Sequence, residues 1–527
     1  MLQRYLLLLV TVALAVGACG KQAAPSPSAV VPPPDLRLTF AGSRGANTLD
    51  PALASDPASI AVCSLVYQTL VRMNRRLQVV PAAASSWLEF DHGLEYVFYL
   101  RPNLRFSTGA RVTAADVVGS LRRAMSLGQA SGGLGGYLSE VRSVESIPSV
   151  TGAGPGIVEF NLSYPSPAFL SKLTFVSASI VDMATVKRYW PVWTVHADGS
   201  GPFRLALWQP YGTVKLAPNP YYLPTPPKTH VTITFQSPSA ALTSFLNNTT
   251  DVVAGLPSPI SLPPAIRKYA RYVAQPPALD YVVVNTRQRP LTNPTLRQAL
   301  ALSVNRTSLV KDVLGTSAMP TGALVPPSIL PGAFQQQFDP ETALRLLVRA
   351  HLAPPPLPGG GTTSPTLPAN VRPLRLLYLN TTTETRKAQF LQQLWEKYLG
   401  VQVHPIGEDY PGYVTALRTG HFDLALVQWG AQYLDASNFL NFQLRGGAPE
   451  NLSGWNDPSF NRIMKASLVQ GIDSRSRHAD LLMAALIAAQ QAPWIALDEP
   501  LQLTLVHTSA GAVALTPAGW AGFAPGT

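Results

Sequence analysis

Seven consecutive residues, Trp429-Gly430-Ala431-Gln432-Tyr433-Leu434-Asp435, form the stretch best equipped to recognise a small molecule. Trp429 offers a rigid apolar plane, Gly430 lets a ligand approach the backbone, Gln432 and Tyr433 supply neutral hydrogen-bonding groups, and Asp435 supplies a carboxylate. The run that leads into it, Phe422 to Trp429, reads as a strand, and strand ends in open α/β sheets are where ligands sit. The same residues also fit a purely structural role, with Trp429 in the core and Asp435 capping a helix near Asn438, just before Phe439.

Chemistry of other kinds finds little support. The eight histidines are scattered, and none stands at a metal-binding spacing from a cysteine or carboxylate. No Gly-x-Ser-x-Gly is present. Gly132-Gly133-Leu134-Gly135-Gly136 lacks the Gly-Lys-Ser/Thr ending of a phosphate loop and reads as a surface loop. Cys63 falls with Ile60, Tyr67 and Leu70 on one helical face and is expected to be a buried thiol. Paired carboxylates stay open, since pairing depends on the fold, but with no catalytic motif found an enzyme is not expected, nor is a cofactor or metal.

At 527 residues the chain is too long for one core, and its 46% hydrophobic content allows several. Charged residues are 13%, about half the ~25% of an ordinary soluble domain, and 50 prolines imply many turns and extended connectors. The net charge of +11 raises nucleic acid as a partner, but the basic residues stand singly and no recognition signature accompanies them, so none is expected. Few carboxylates beside a basic excess would also suit an acidic medium, because such a surface changes little in charge as pH falls.

The first residues read as a targeting segment. Arg4 is the positive start, Leu6 to Val16 the apolar stretch, too short to span a bilayer, and Val16-Gly17-Ala18-Cys19 a small-residue cleavage region. Lys21 to Pro34, rich in Ala, Ser and Pro, reads as an extended tether.

Downstream, strands are expected at Leu36 to Phe40, Leu94 to Leu100, Ile157 to Leu162, Val231 to Phe235, Tyr281 to Thr286 and Leu374 to Leu379. Helices are expected over Ile60 to Met73, from a cap at Thr113 to a stop near Gly128, from Pro340, from Phe390 to a stop at Gly400, and around Leu481 to Ala489. Ala353 to Pro373, rich in Pro, Gly and Thr, reads as an exposed loop.

The literal string running from Pro81 and Trp87 through Tyr96, Phe98, Leu100, Arg101, Phe106, Gly109, Thr113, Ala114, Asp116 and Val117 resembles the family 5 extracellular solute-binding proteins of ABC importers. The likeness continues through Asn47-Thr48-Leu49-Asp50-Pro51, Gly199-Ser200-Gly201-Pro202-Phe203, Asn219-Pro220-Tyr221-Tyr222, Val304-Asn305-Arg306 and Pro493-Trp494-Ile495, and so covers nearly the whole chain. Where this chain has Asn305 the family usually has Asp, which puts a local cap or ion pair in doubt.

The resemblance implies an α/β, two-lobed periplasmic-binding-protein-like fold of the large type II (cluster C) kind, with an extra subdomain in the first lobe. It divides the chain into a signal peptide (1–18), a lipidated cysteine and tether (19–34), the first lobe's core (35–50, 197–278 and 494–527), the extra subdomain (51–196) and the second lobe (279–493). It implies a monomer outside the cytoplasm and delivery of a peptide or other small solute to a permease and its ATPase, while the ending Val16-Gly17-Ala18-Cys19 resembles a bacterial lipobox, which implies a lipid anchor at Cys19, a plain secretory signal being the alternative. A non-peptide solute, or sensing rather than transport, are the competing readings. Ligand contacts are implied at Trp429, Gly430, Gln432, Tyr433 and Asp435, with Asn47 and Leu49 across the cleft. In the peptide-binding relatives an Asp in the loop after the Trp commonly holds the peptide's amino group, and ungapped alignment from Trp429 puts Gln432 there.

Overall fold

A computed structural model describes residues 35–507, apart from 44, 75–77, 132–137, 150–153, 211, 224, 257–261, 275–276, 354–371, 449 and 471–473. The expected leader, Cys19, the tether, the glycine-rich loop at 132–136 and most of the 353–373 loop lie outside the described residues.

One strand, Trp494–Val506, organises the molecule. Its first half pairs antiparallel with Ala278–Val284, setting Trp494 against Val283, and its second half pairs antiparallel with Val252–Leu256 and Ala270–Ala274. One sheet therefore passes from lobe to lobe. On one side the order continues from Ala278–Val284 through Leu424–Gly430 and Leu374–Leu379 to Val403–Glu408; on the other it runs from Val252–Leu256 through Leu36–Ala41, Val231–Gln236 and Val214–Pro218 to Phe203–Trp208. The lobes are thus mixed α/β sheets, with helices such as Thr382–Leu399 and Arg475–Gln491 covering the second. Ala278–Val284 is buried along its whole length, as a run of β-branched residues between two packed faces requires. One face meets a core containing Trp395, the other a core containing Trp494 and Phe439.

Residues 84–162 build a separate antiparallel sheet in the order Ala84–Phe90, Glu95–Leu100, Ile157–Leu162, Val141–Ile147. Phe98, Phe160 and Phe169 stack edge-on at centroid distances of 5.5 Å and 5.1 Å to form its core. Helix Ala114–Ser131 lies against it and begins as expected: Asp116 Oδ2 accepts from the Thr113 amide at 2.9 Å while Thr113 Oγ1 accepts from the Asp116 amide. Asp50 and Arg123 join this region to the loop after the first strand through a two-pronged ion pair, and the Arg123 guanidinium lies 5.3 Å from the Trp193 ring.

Three expectations change. The first helix is Pro57–Val66, not Ile60 to Met73: Tyr67 turns extended, Gln68 bridges to Ile180, and the β-branched Val71 begins a short strand paired with Val79–Pro81. Gly128 does not stop its helix, which runs to Ser131; glycine inside a helix costs only about 1 kcal/mol. Asn305 keeps the cap that was in doubt, its side-chain oxygen accepting from the Ser308 amide at 2.9 Å. The glycines of the Gly-Ser-Gly turn answer to crowding: a Cβ on Gly199 would stand 2.1 Å from the Val66 carbonyl oxygen, and one on Gly201 2.6 Å from it.

Candidate ligand-binding site

Strand Leu424–Gly430 delivers Trp429 at its end, where Leu279 on the neighbouring strand holds it in register. The indole Nε1 donates to Asn438 Oδ1 at 2.8 Å, and the ring lies 6.0 Å from Phe442. Trp429 is therefore fixed by the short helical turn Ala436–Asn438 that follows it, half-buried, with part of its plane accessible. Gly430 pairs with Ala278, and the next amide, Ala431, donates to the Pro277 carbonyl, so strand pairing holds the loop's root.

Beyond that root the loop carries polar groups with little protein company. Gln432 Oε1, Asn438 Nδ2 and Asn441 Oδ1 are buried and have no hydrogen-bond partner among the described residues. A buried polar atom left so costs about 1–3 kcal/mol, and the three lie within ten residues.

Asp435 has the opposite character. One oxygen takes Arg477 Nη2 at 2.8 Å and the Ser437 amide at 2.9 Å, so the carboxylate caps the helical turn and balances a buried guanidinium. Burial alone would raise its pKa, but Arg477 and Ser437 hold it below the usual carboxylate range. It stays ionised at neutral pH with its charge already matched.

Tyr433 is 5% exposed, packed with Ala168 and Phe442. Lys172 Nζ stands 5.3 Å from its ring centroid, and the same ammonium pairs with the buried Glu140 at 2.7 Å. Ser166 also donates to Glu140, so the loop after Trp429 meets a polar triad on the subdomain side. The phenol oxygen lies 3.4 Å from Ser437 Oγ. The structure thus places the Tyr433 ring against Ala168 and Lys172 while its hydroxyl meets Ser437.

Across the fold, Asn47 is exposed on the loop after the first strand. Leu49 is 1% exposed in the core with Val62 and Tyr67, and its carbonyl accepts from the Tyr67 hydroxyl at 3.0 Å. No hydrogen bond, ion pair or ring contact among the described residues joins Asn47 or Leu49 to the Trp429 loop. Lys172, Glu140, Arg477 and Asn441 were not visible as site neighbours in the sequence, since each is brought to the loop by tertiary packing and carries no local signal.

Comparison with known proteins gives this geometry a context. Residues 78–451 match the model of the bacterial extracellular solute-binding proteins, family 5 middle region. The chain belongs to this family. Like its members, this family 5 protein is a solute-binding component of ABC importers, and it is similar to the probable deoxycholate-binding periplasmic protein YgiS of Escherichia coli K12, 27% identical over 467 residues, 85% of each chain. It is also similar to the periplasmic murein peptide-binding protein MppA of the same organism, 25% identical over 473 residues, 85% of this chain and 84% of that one. Among solved structures, the binding protein DppA from Helicobacter pylori in complex with the peptide STSA superposes with a TM-score of 0.71 at 20% identity, over 92% of this chain and 95% of that one, which supports the two-lobed fold.

Proposed function

We propose that this family 5 protein captures a peptide or peptide-like solute between its lobes, and that the solute presents a neutral group rather than a free α-ammonium to the Trp429 loop. The observation that carries this reading is the pairing of amide and carboxylate roles there: Gln432 is uncharged with a buried, unpartnered Oε1, and the nearby carboxylate, Asp435, is neutralised by Arg477. A desolvated ammonium beside Gln432 would find a dipole but no counter-charge. Amide N–H groups of a peptide backbone, or an N-blocked terminus, suit the unpartnered oxygens of Gln432 and Asn441, and a carbonyl suits Asn438 Nδ2. Peptide ligands are in keeping with the murein peptide-binding relative. Calorimetry with free-amine dipeptides, their N-acetylated forms, longer peptides and deoxycholate tests the reading: N-blocked or longer peptides should bind more tightly than free dipeptides. Equal or tighter binding of free dipeptides would refute it, and tight binding of deoxycholate alone would move the solute class to that named for the 27% identical relative.

The protein acts, in this reading, as a monomer held to the outer face of the membrane by lipid on Cys19 and delivers its solute to a permease with an ATPase. The apolar run ending in Val16-Gly17-Ala18-Cys19 and the Ser/Pro-rich residues after it support the anchor. Cys19→Ser should move the protein from the membrane pellet to the soluble fraction; retention of the variant in the pellet would exclude lipid on Cys19 as its anchor.

A further inference from the structure

Where the sheet crosses between the lobes, two aspartates face each other. Asp280 and Asp498 are direct partners in the antiparallel register of Ala278–Val284 and Trp494–Val506, two residues before Pro500, beyond which the latter strand pairs in the other lobe. They are 4% and 1% exposed. Asp280 Oδ1 and both oxygens of Asp498 have no hydrogen-bond partner among the described residues.

We propose that Asp280 and Asp498 share one proton at neutral pH, so that the interlobe crossing is a proton-binding site. Directly opposed side chains on antiparallel strands have Cβ atoms about 4.5–5.5 Å apart, and like charges so placed repel. In a dry site two such carboxylates cannot both ionise. One carboxyl proton resolves the arrangement, because the O–H of Asp498 can donate to the unpartnered Oδ1 of Asp280 and turns two orphaned acceptors into a donor and acceptor.

The surrounding charges leave the proton in place. Lys387, from helix Thr382–Leu399, is the cation of the cluster: it bonds Asp280 Oδ2, lies 3.3 Å from Glu384, and stands 3.8 Å from Asp498, beyond hydrogen-bonding reach. Glu384 and, on the same strand as Asp498, Glu499 add negative charge, while Tyr413 from helix Tyr410–Thr419 donates to the Leu426 carbonyl. Arg306 is turned to the carbonyls of Ala496 and Val304 and to Gln336. Gln428, opposite Asp280 on its other side, is neutral, and strand Ala318–Pro320 brings no charged group. One ammonium thus faces three carboxylates, with Glu499 a fourth nearby. Burial, and the nearby acids after it, push Asp498 well above the usual carboxylate range against the pull of Lys387. Burial also raises Glu384, and it raises Glu499 to about 7. Each binds its proton more tightly folded than unfolded, so the stability it contributes is present in acid and lost as pH rises through the folded-state value. Loss of the shared proton places two like charges at the crossing.

Infrared spectroscopy of the full chain in the Glu384→Gln, Glu499→Gln background, which removes the two other acids that burial raises, reads the site. At neutral pH a protonated-carboxyl band should be present, disappear on raising pH, and be missing in both Asp498→Asn and Asp280→Asn. The Asp280→Asn variant decides whether the proton is shared, since a carboxyl kept neutral by burial alone would keep its band there. In parallel, the midpoint of thermal unfolding should fall with rising pH more steeply in the wild type than in Asp498→Asn. Absence of the band at neutral pH, or its survival in either Asn variant, would overturn the proposal; should one variant not fold, the other and the wild-type band still decide it.

Discussion

Gln432 and Asp435 show how much turns on which carboxylate is free. An aspartate three residues after the tryptophan would offer an uncompensated charge, whereas this chain puts an amide there and ties its nearest aspartate to Arg477. Restoring the charge should therefore create an ammonium site. Gln432→Asp is expected to tighten binding of free-amine dipeptides by roughly 30-fold to a few thousand-fold, the equivalent of about 2–5 kcal/mol for a desolvated charge pair. Calorimetry of both proteins against the same dipeptides measures this. Unchanged affinity would mean that residue 432 does not meet the ligand's amino end. The residue types of the loop are legible in the sequence as binding equipment, but the engagement of Asp435 is not: Arg477 lies 42 residues away, and only folding brings the two within 2.8 Å.

Element boundaries followed local signals wherever those signals were strong. The reciprocal bonds between Thr113 and Asp116 and the left-handed Gly400 at the end of Thr382–Leu399 are each encoded within a few residues and stand where they were expected, whereas the strand expected at Tyr281 to Thr286 is Ala278–Val284, sharing only Tyr281 to Val284 with it. The Ile60 to Met73 helix failed because its second half is claimed by a distant partner, Ile180 for Gln68, and by a neighbouring strand, Val79–Pro81 for Val71–Met73, and period alone carries no trace of either. Asn305 gives the converse lesson. Loss of the negative charge usual at that place leaves the cap intact, because an amide oxygen accepts from the Ser308 amide as a carboxylate oxygen does. Asn305→Ala should lower stability by about 0.5–2 kcal/mol, and Asn305→Asp should change it far less. Chemical denaturation of the two variants checks the pair, and equal losses in both would show that the cap is not what residue 305 contributes.

At the scale of the whole molecule, one contact reports on closure. Tyr433, on the loop after Leu424–Gly430, packs against Ala168 while Lys172 lies over its ring, and Glu140, fully buried, holds Lys172 there. One side of this contact follows strand Leu424–Gly430 of the crossing sheet, and the other, Glu140 and helix Phe169–Lys172, adjoins the strands Val141–Ile147 and Ile157–Leu162 of the separate antiparallel sheet, so it can form only while the two are together. A ligand that bridges the lobes favours the closed state by its differential affinity, and every contact made only in that state adds to the apparent affinity. A cation over an aromatic ring contributes about 0.5–1 kcal/mol when exposed and ~2 kcal/mol when desolvated. Removing Lys172 would test this poorly, because it strands the Glu140 carboxylate in the interior, which costs several kcal/mol for reasons unrelated to closure. Tyr433→Leu leaves Glu140 and Lys172 paired, retains apolar contact with Ala168, and deletes the ring face together with the hydroxyl that meets Ser437, with Tyr433→Phe, which loses the hydroxyl alone, as the control. It should therefore weaken ligand binding by roughly 2- to 30-fold, with little change in the thermal midpoint of the unliganded protein, and shift unliganded molecules toward the open form. Small-angle scattering shows the shift as a larger radius of gyration without ligand and convergence with the wild type at saturation. Identical scattering and identical affinity in the two proteins would mean that the tyrosine ring does not contribute to holding the lobes together.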